Sequence, residues 1–202
     1  MPRPPIAAGE YYHVYNRGVL KQPIFFESRD YQRFIRNLYE FNDTHPIPDR
    51  RTHRPSRSGR EPIVSILAWC LMPNHFHLLV SPVENDGLSL FMNKMADGYT
   101  KYLNKKYQRS GHLFEGRYQL KLVENDSYAL QLSKYIHLNP KELIQSNNHE
   151  ATLSFIDNYR WSSYPNWLGK KSFSSILDWN LLQNVFGPLK MQVLHPTDLE
   201  GL

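Results

Sequence analysis

Apolar residues along the chain recur first with the two-residue period of a strand. Tyr11-Tyr12-His13-Val14-Tyr15-Asn16-Arg17 is rich in aromatic and β-branched residues and stops at Gly18, which predicts a first strand. The period then changes. Tyr31, Phe34, Ile35 and Leu38 stand at i, i+3, i+4 and i+7 behind Ser28, a residue suited to cap a helix, with Arg29, Arg33 and Arg36 off the stripe. Two β-like runs follow, Ile63 to Leu71 and His75 to Ser81, and Met72-Pro73-Asn74 between them carries turn residues, so a hairpin is predicted. Leu88, Phe91, Met92, Met95, Tyr99, Tyr102 and Leu103 return to helical spacing. Tyr118 to Glu124 reads as a strand. Asp126 opens a last helix that must end near Asn139, because Pro140 drives the residue before it out of the helical region. The order β-α-β-β-α-β, then α, is the split βαβ or ferredoxin-like arrangement of the α+β class. It implies an antiparallel sheet carrying helices on one face, with the first and third strands central.

Between the first helix and the hairpin, residues 41–62 are polar and irregular, with four prolines and with Arg50, Arg51, Arg54, Arg57 and Arg60. This reads as a flexible basic loop. Beyond about Gln145 the pattern weakens into short pieces around Trp161, Trp167 and Trp179. The chain therefore divides into a core domain over 1–145 and an extension over 146–202, expected to pack back on the core as a short helical tail. A length of 202 residues with 41% hydrophobic content supplies one good core and argues against a second full domain.

Charge adds a preference for partner. The 24 Lys and Arg against 19 Asp and Glu leave a net charge of +5, which favours an anionic partner without identifying it. The single cysteine, Cys70, lies in an apolar run and reads as a small buried hydrophobe in a reducing compartment, so a disulfide framework is excluded. Nowhere do about 18 consecutive apolar residues occur, and residues 1–10 lack a signal-peptide core; the expectation is a cytoplasmic protein without membrane contact.

Candidate chemistry sits in two places. On a strand beginning His75-Phe76-His77, side chains alternate, so the two imidazoles share a face while Phe76 and Leu78 enter the opposite layer. Imidazole binds divalent metals, but a pair is never a complete site, and alone it reads first as two half-exposed histidines at a strand start. On the last helix Gln131, Tyr135 and Asn139 are four apart and align a phenol between two amides on one face. Asn139 can cap the helix end or offer its side-chain oxygen to a metal. Together these parts suit one reaction class, in which a metal polarises a phosphodiester and a tyrosinate displaces the 3′ oxygen. No acid pair, Gly-rich phosphate loop, CxxC site or nucleophile elbow supports another enzyme class.

With these motifs in order, the sequence resembles the HUH-motif single-tyrosine transposases, most closely the REP-associated tyrosine transposases. The resemblance is carried by Tyr11 to Gly18, His75-Phe76-His77, Arg109 to Tyr118 and Tyr135-Ile-His-Leu-Asn-Pro140, with Trp161-Ser-Ser-Tyr164 similar to the family's tail. It implies His75 and His77 as metal ligands, Asn139 as a third ligand, Tyr135 as nucleophile, and Mg²⁺ or Mn²⁺ as cofactor. It further implies single-stranded or hairpin DNA as partner, a monomer or homodimer, and a bacterial cytoplasmic setting at the nucleoid. Two nitrogen ligands suit Mn²⁺ better than Mg²⁺. Candidate phosphate contacts are Arg17, Lys101, Lys105, Lys106, Arg109, Arg117 and Lys121, with the five loop arginines, and Tyr107, Phe114 and Tyr118 are candidates for base stacking or for core. Two other readings compete: a non-catalytic RNA-binding module on the same fold, which has no use for Tyr135, and a domesticated regulator that binds hairpin DNA but cuts poorly.

Overall fold

A computed structural model describes residues 5–45, 59–170, 172–187 and 194–199. Arg50, Arg51, Arg54 and Arg57 lie outside them. The core elements are β1 (Tyr11–Arg17), α1 (Ser28–Glu40), β2 (Val64–Met72), β3 (His75–Pro82), α2 (Gly87–Lys106), β4 (Gln119–Val123) and α3 (Asp126–Leu138). Their sheet runs β2-β3-β1-β4 with every pair antiparallel, which is the ferredoxin-like order with the first and third strands central.

Register sorts the side chains into two layers. Tyr12 lies opposite Val80 and Val14 opposite Leu78 on one face; His13 opposite Leu79, Tyr15 opposite His77 and Arg17 opposite His75 occupy the other. The first face carries α1 and α2, as the Phe34 ring 5.1 Å from Phe76 and 4.9 Å from Tyr99 requires. The additional helix α3 lies across the second face, with Leu132 and Ile136 buried and the Tyr135 ring against His13 and His77. The physical reason is that Ala68, Cys70 and Leu79 make this face apolar too, and it has to be covered.

Local chemistry sets the element ends. The N-cap of α1 is Glu27 rather than Ser28, in a reciprocal box with Asp30, and that of α3 is Asn125 rather than Asp126, its side chain accepting from the Tyr128 amide. Pro140 does not break the chain away after α3. It starts a 3-10 turn over Asn139–Leu143, where a missing N–H costs nothing, and Asn139 stays helical at φ −48, ψ −39. At the end of β1, Gly18 donates to the Asn74 carbonyl (2.8 Å), and a Cβ there would sit 2.1 Å from the Gln22 carbonyl oxygen, so only glycine fits.

The tail contributes α4 (His149–Asp157), α5 (Tyr164–Trp167) and α6 (Trp179–Phe186). Between α4 and α5 it runs along the outer edge of β2, where Leu71 N donates to Trp161 O (2.8 Å) and Ser163 N to Trp69 O (2.9 Å), and just before α6 Asp178 N donates to Ile66 O (3.0 Å). An exposed strand edge is thereby covered. Ile156, Trp161, Trp167, Leu182 and Phe186 join the same hydrophobic cluster as the strands. No helix among the described residues is long and apolar enough to cross a membrane.

Candidate functional site

Where α3 crosses the ends of β1 and β3, an open cleft of about 800 Å³ forms, lined by Tyr15, Arg17, His75, His77, Glu115, Arg117, Gln119, Tyr135, Asn139 and Glu142. Strand alternation aims His75 and His77 into it, their rings 5.1 Å apart and perpendicular. The Tyr135 ring stands edge-on to His77 at 5.7 Å and to His13 at 6.2 Å. One helical turn on, the Asn139 amide donates to the Tyr135 carbonyl (2.8 Å), which turns its Oδ1 toward His75.

Each of the two histidines has its Nδ1 engaged, that of His77 by His13 Nε2 and that of His75 by Asn74. His75 Nδ1 lies 2.6 Å from Asn74 Oδ1, an acceptor, so this nitrogen carries the proton and Nε2 presents a lone pair, 3.4 Å from Asn139 Oδ1. Two electron-rich atoms facing each other across that gap have no proton to share. A divalent cation about 2.1 Å from each would span the separation, so the donors fit a metal. Among the described residues no group of three or more His, Cys, Asp and Glu side chains is gathered for a metal, and the donor set is two imidazoles and an amide.

Electrostatics favour neutral ligands. Burial pulls His77 down to about 2, aided by His13 and His75, and pulls His13 down to about 4, aided by Lys121. Burial also lowers His75. Near neutral pH all three imidazoles keep their lone pairs. The Tyr135 phenol is raised from its ordinary value by burial and then by the Glu142 carboxylate, with Asn139 working partly against them. The phenol is therefore held in its neutral form near neutral pH.

The structure thus gathers His75, His77, Asn139, Tyr135, Arg17 and Arg117 at one cleft, and Lys121 lies beside it on β4, opposite His13. Arg17 is held by Glu115 at 3.0 Å. Lys101, Lys105, Lys106 and Arg109 do not line the cleft. Lys101 pairs with Asp97 (2.8 Å), and Lys106 is committed to Glu27 and the buried Asp30. Arg60 lies 3.7 Å over the Tyr39 ring and donates to the Tyr39 and Asn42 carbonyls. The stacking candidates are packed inward: Phe114 and Tyr118 are buried, and the Tyr107 hydroxyl donates to Asp30 (2.7 Å). Gln131 is exposed and outside the cleft.

Sequence reasoning missed His13, Tyr15, Glu115, Gln119 and Glu142. For His13 and Tyr15 a signal existed, since they alternate on a strand placed beside the histidine strand by the element order. The others come from turns and strand ends that no periodicity marks.

Residues 56–139 match the family model described as transposase IS200-like. The fold is similar to a solved structure of a REP-associated tyrosine transposase bound to a REP hairpin, with a TM-score of 0.58 and 15% identity, over 86% of this chain and 88% of that one. Among curated proteins none matches the chain significantly.

Proposed function

We propose, from the match of residues 56–139 to the IS200-like transposase family model, that the chain nicks single-stranded DNA flanking a hairpin through Tyr135, with a divalent metal. The matched family model supports a transposase role, and the nicking chemistry, the hairpin and the metal are our reading. The observation that carries it is the convergence of Tyr135 with His75, His77 and Asn139 at a cleft open to solvent. A hairpin is favoured because the fold neighbour was solved with one.

His75 Nε2, His77 Nε2 and Asn139 Oδ1 would hold Mn²⁺ or Mg²⁺. When bound, the cation supplies the positive charge that polarises a phosphodiester and favours the phenolate. Tyr135 Oη then attacks phosphorus and the bond to the 3′ oxygen breaks, leaving a 5′-phosphotyrosine and a 3′ hydroxyl that gains the proton the phenol lost. Arg17, Arg117 and Lys121 border the cleft as contacts for the flanking phosphates.

The test is incubation with a labelled DNA hairpin bearing a single-stranded flank, in Mn²⁺ or in EDTA. A covalent protein–DNA adduct is expected in Mn²⁺ only, and Tyr135→Phe is expected to abolish it while keeping hairpin binding. Binding without any adduct would instead favour a non-catalytic nucleic-acid-binding protein.

A further inference from the structure

We propose that His13 is a positioning residue: it accepts the Nδ1–H of His77 and so holds that imidazole in the tautomer and orientation that leave Nε2 open to the cleft. The inference rests on the reading of His75 and His77 as metal ligands. His13 Nε2 lies 2.8 Å from His77 Nδ1, and the two rings are stacked at 5.1 Å with 22° between their planes. At 8% and 7% exposure both rings are removed from water, which leaves each little else to bond. Tyr15 completes the group, its ring 4.9 Å from His13 and 5.6 Å from His77, so two rings from β1 pack against His77.

A hydrogen bond between two neutral imidazoles needs one donor and one acceptor. In one arrangement His77 donates from Nδ1 and Nε2 keeps its lone pair. In the other His13 donates, and His77 carries its own proton on Nε2, where it blocks a cation. Only the first makes His77 a ligand, so cation binding and the acceptor role of His13 are one event. Metal-bound histidines usually donate their second N–H to a carboxylate, carbonyl or water. Here the acceptor is an imidazole, and for His75 it is the neutral Asn74 amide at 2.6 Å. Neither adds negative charge, which leaves the cation's charge for the phosphodiester and the Tyr135 phenol.

The experiment is Mn²⁺ titration of the metal-free full chain, followed by loss of the free-ion electron paramagnetic resonance signal. His13→Phe keeps a ring but has no acceptor, and it is expected to weaken Mn²⁺ binding by about 10- to 100-fold, with melting temperature and metal-free hairpin binding unchanged. His13→Gln restores an acceptor and is expected to recover most of that loss. Wild-type Mn²⁺ affinity in His13→Phe overturns the proposal, and if His75→Ala meanwhile loses binding, the ligand reading stands without it. Wild-type affinity in His75→Ala overturns both. Should His13→Phe fail to fold, ring ¹⁵N spectra of the metal-free wild type decide: a proton on His77 Nδ1 supports the proposal, and one on Nε2 overturns it.

Discussion

Arg117 and Lys101 carry the same charge and were equal candidates by sequence, yet their surroundings differ. Arg117 lines the cleft, whereas Lys101 sits on α2, on the other side of the sheet, paired one helical turn away with Asp97 at 2.8 Å. An exposed i,i+4 pair of this kind is worth only about 0.3–0.5 kcal/mol, so the pair is no obstacle to removing Lys101. Arg117→Ala is expected to weaken hairpin-DNA binding at every sequence and to lower the slope of log affinity against log salt by about 1, while Lys101→Ala leaves both unchanged. Fluorescence anisotropy across a salt series reads the difference. At this scale the histidine pair, Tyr135 and Asn139 were legible because strand and helix periods place them on shared faces. His13 shares a face with Tyr15 by the same period, but its bond to His77, which joins residues 64 apart in sequence, emerges only in the fold.

The elements depend on a polar clamp as much as on apolar stripes. Asp30, fully buried in the first turn of α1, accepts from the Phe26 and Glu27 amides, from the Tyr102 and Tyr107 hydroxyls and from Lys106, so it ties the start of α1 to the end of α2. Burial alone would raise its carboxyl; the bonds from Lys106, Tyr107, Phe26 and Tyr102 outweigh it and hold the group below the usual carboxylate range. A depressed folded value means that the contribution to stability is complete above the unfolded carboxylate value of about 3.9 and is lost as pH falls through the folded one. Urea unfolding is therefore expected to show wild-type stability falling below about pH 4, and Asp30→Asn less stable by about 2–4 kcal/mol at pH 7 with a flatter acid limb. The sequence pattern located both helices but marked Lys106 as a DNA contact, since nothing local shows that it folds onto an acid 76 residues away.

For the whole molecule, the tail decides whether the β2 edge of the sheet is free. Residues 161–163 pair with β2, Ser163 Oγ accepts from the Trp69 amide (2.9 Å) and bonds His137 of α3 (2.8 Å), and the Tyr159 hydroxyl donates to the Leu71 carbonyl (2.7 Å). Removing 146–202 would uncover those backbone groups together with the apolar faces that meet Trp161, Trp167 and Leu182. A chain ending at 145 is expected to aggregate or to unfold at markedly lower urea concentration than the full chain, read by gel filtration and denaturation. Retention of a monodisperse, cooperatively folding 1–145 fragment would refute a supporting role for the tail.

By itself the sequence determined the succession of elements, the ferredoxin-like order, and which residues share the histidine face, because periods of 2 and 3.6 are properties of the local backbone. It could also point to Tyr135 and Asn139, one turn apart on a helix. Tertiary structure decided that α3 crosses the sheet so that Tyr135 meets His77, that Arg60 bonds the Tyr39 and Asn42 carbonyls, and that Lys106 pairs with Glu27 and Asp30. It also brought His13, Glu142 and Gln119 to the site. These contacts depend on register and packing between segments far apart in the chain, and such distances exist only after the core has closed.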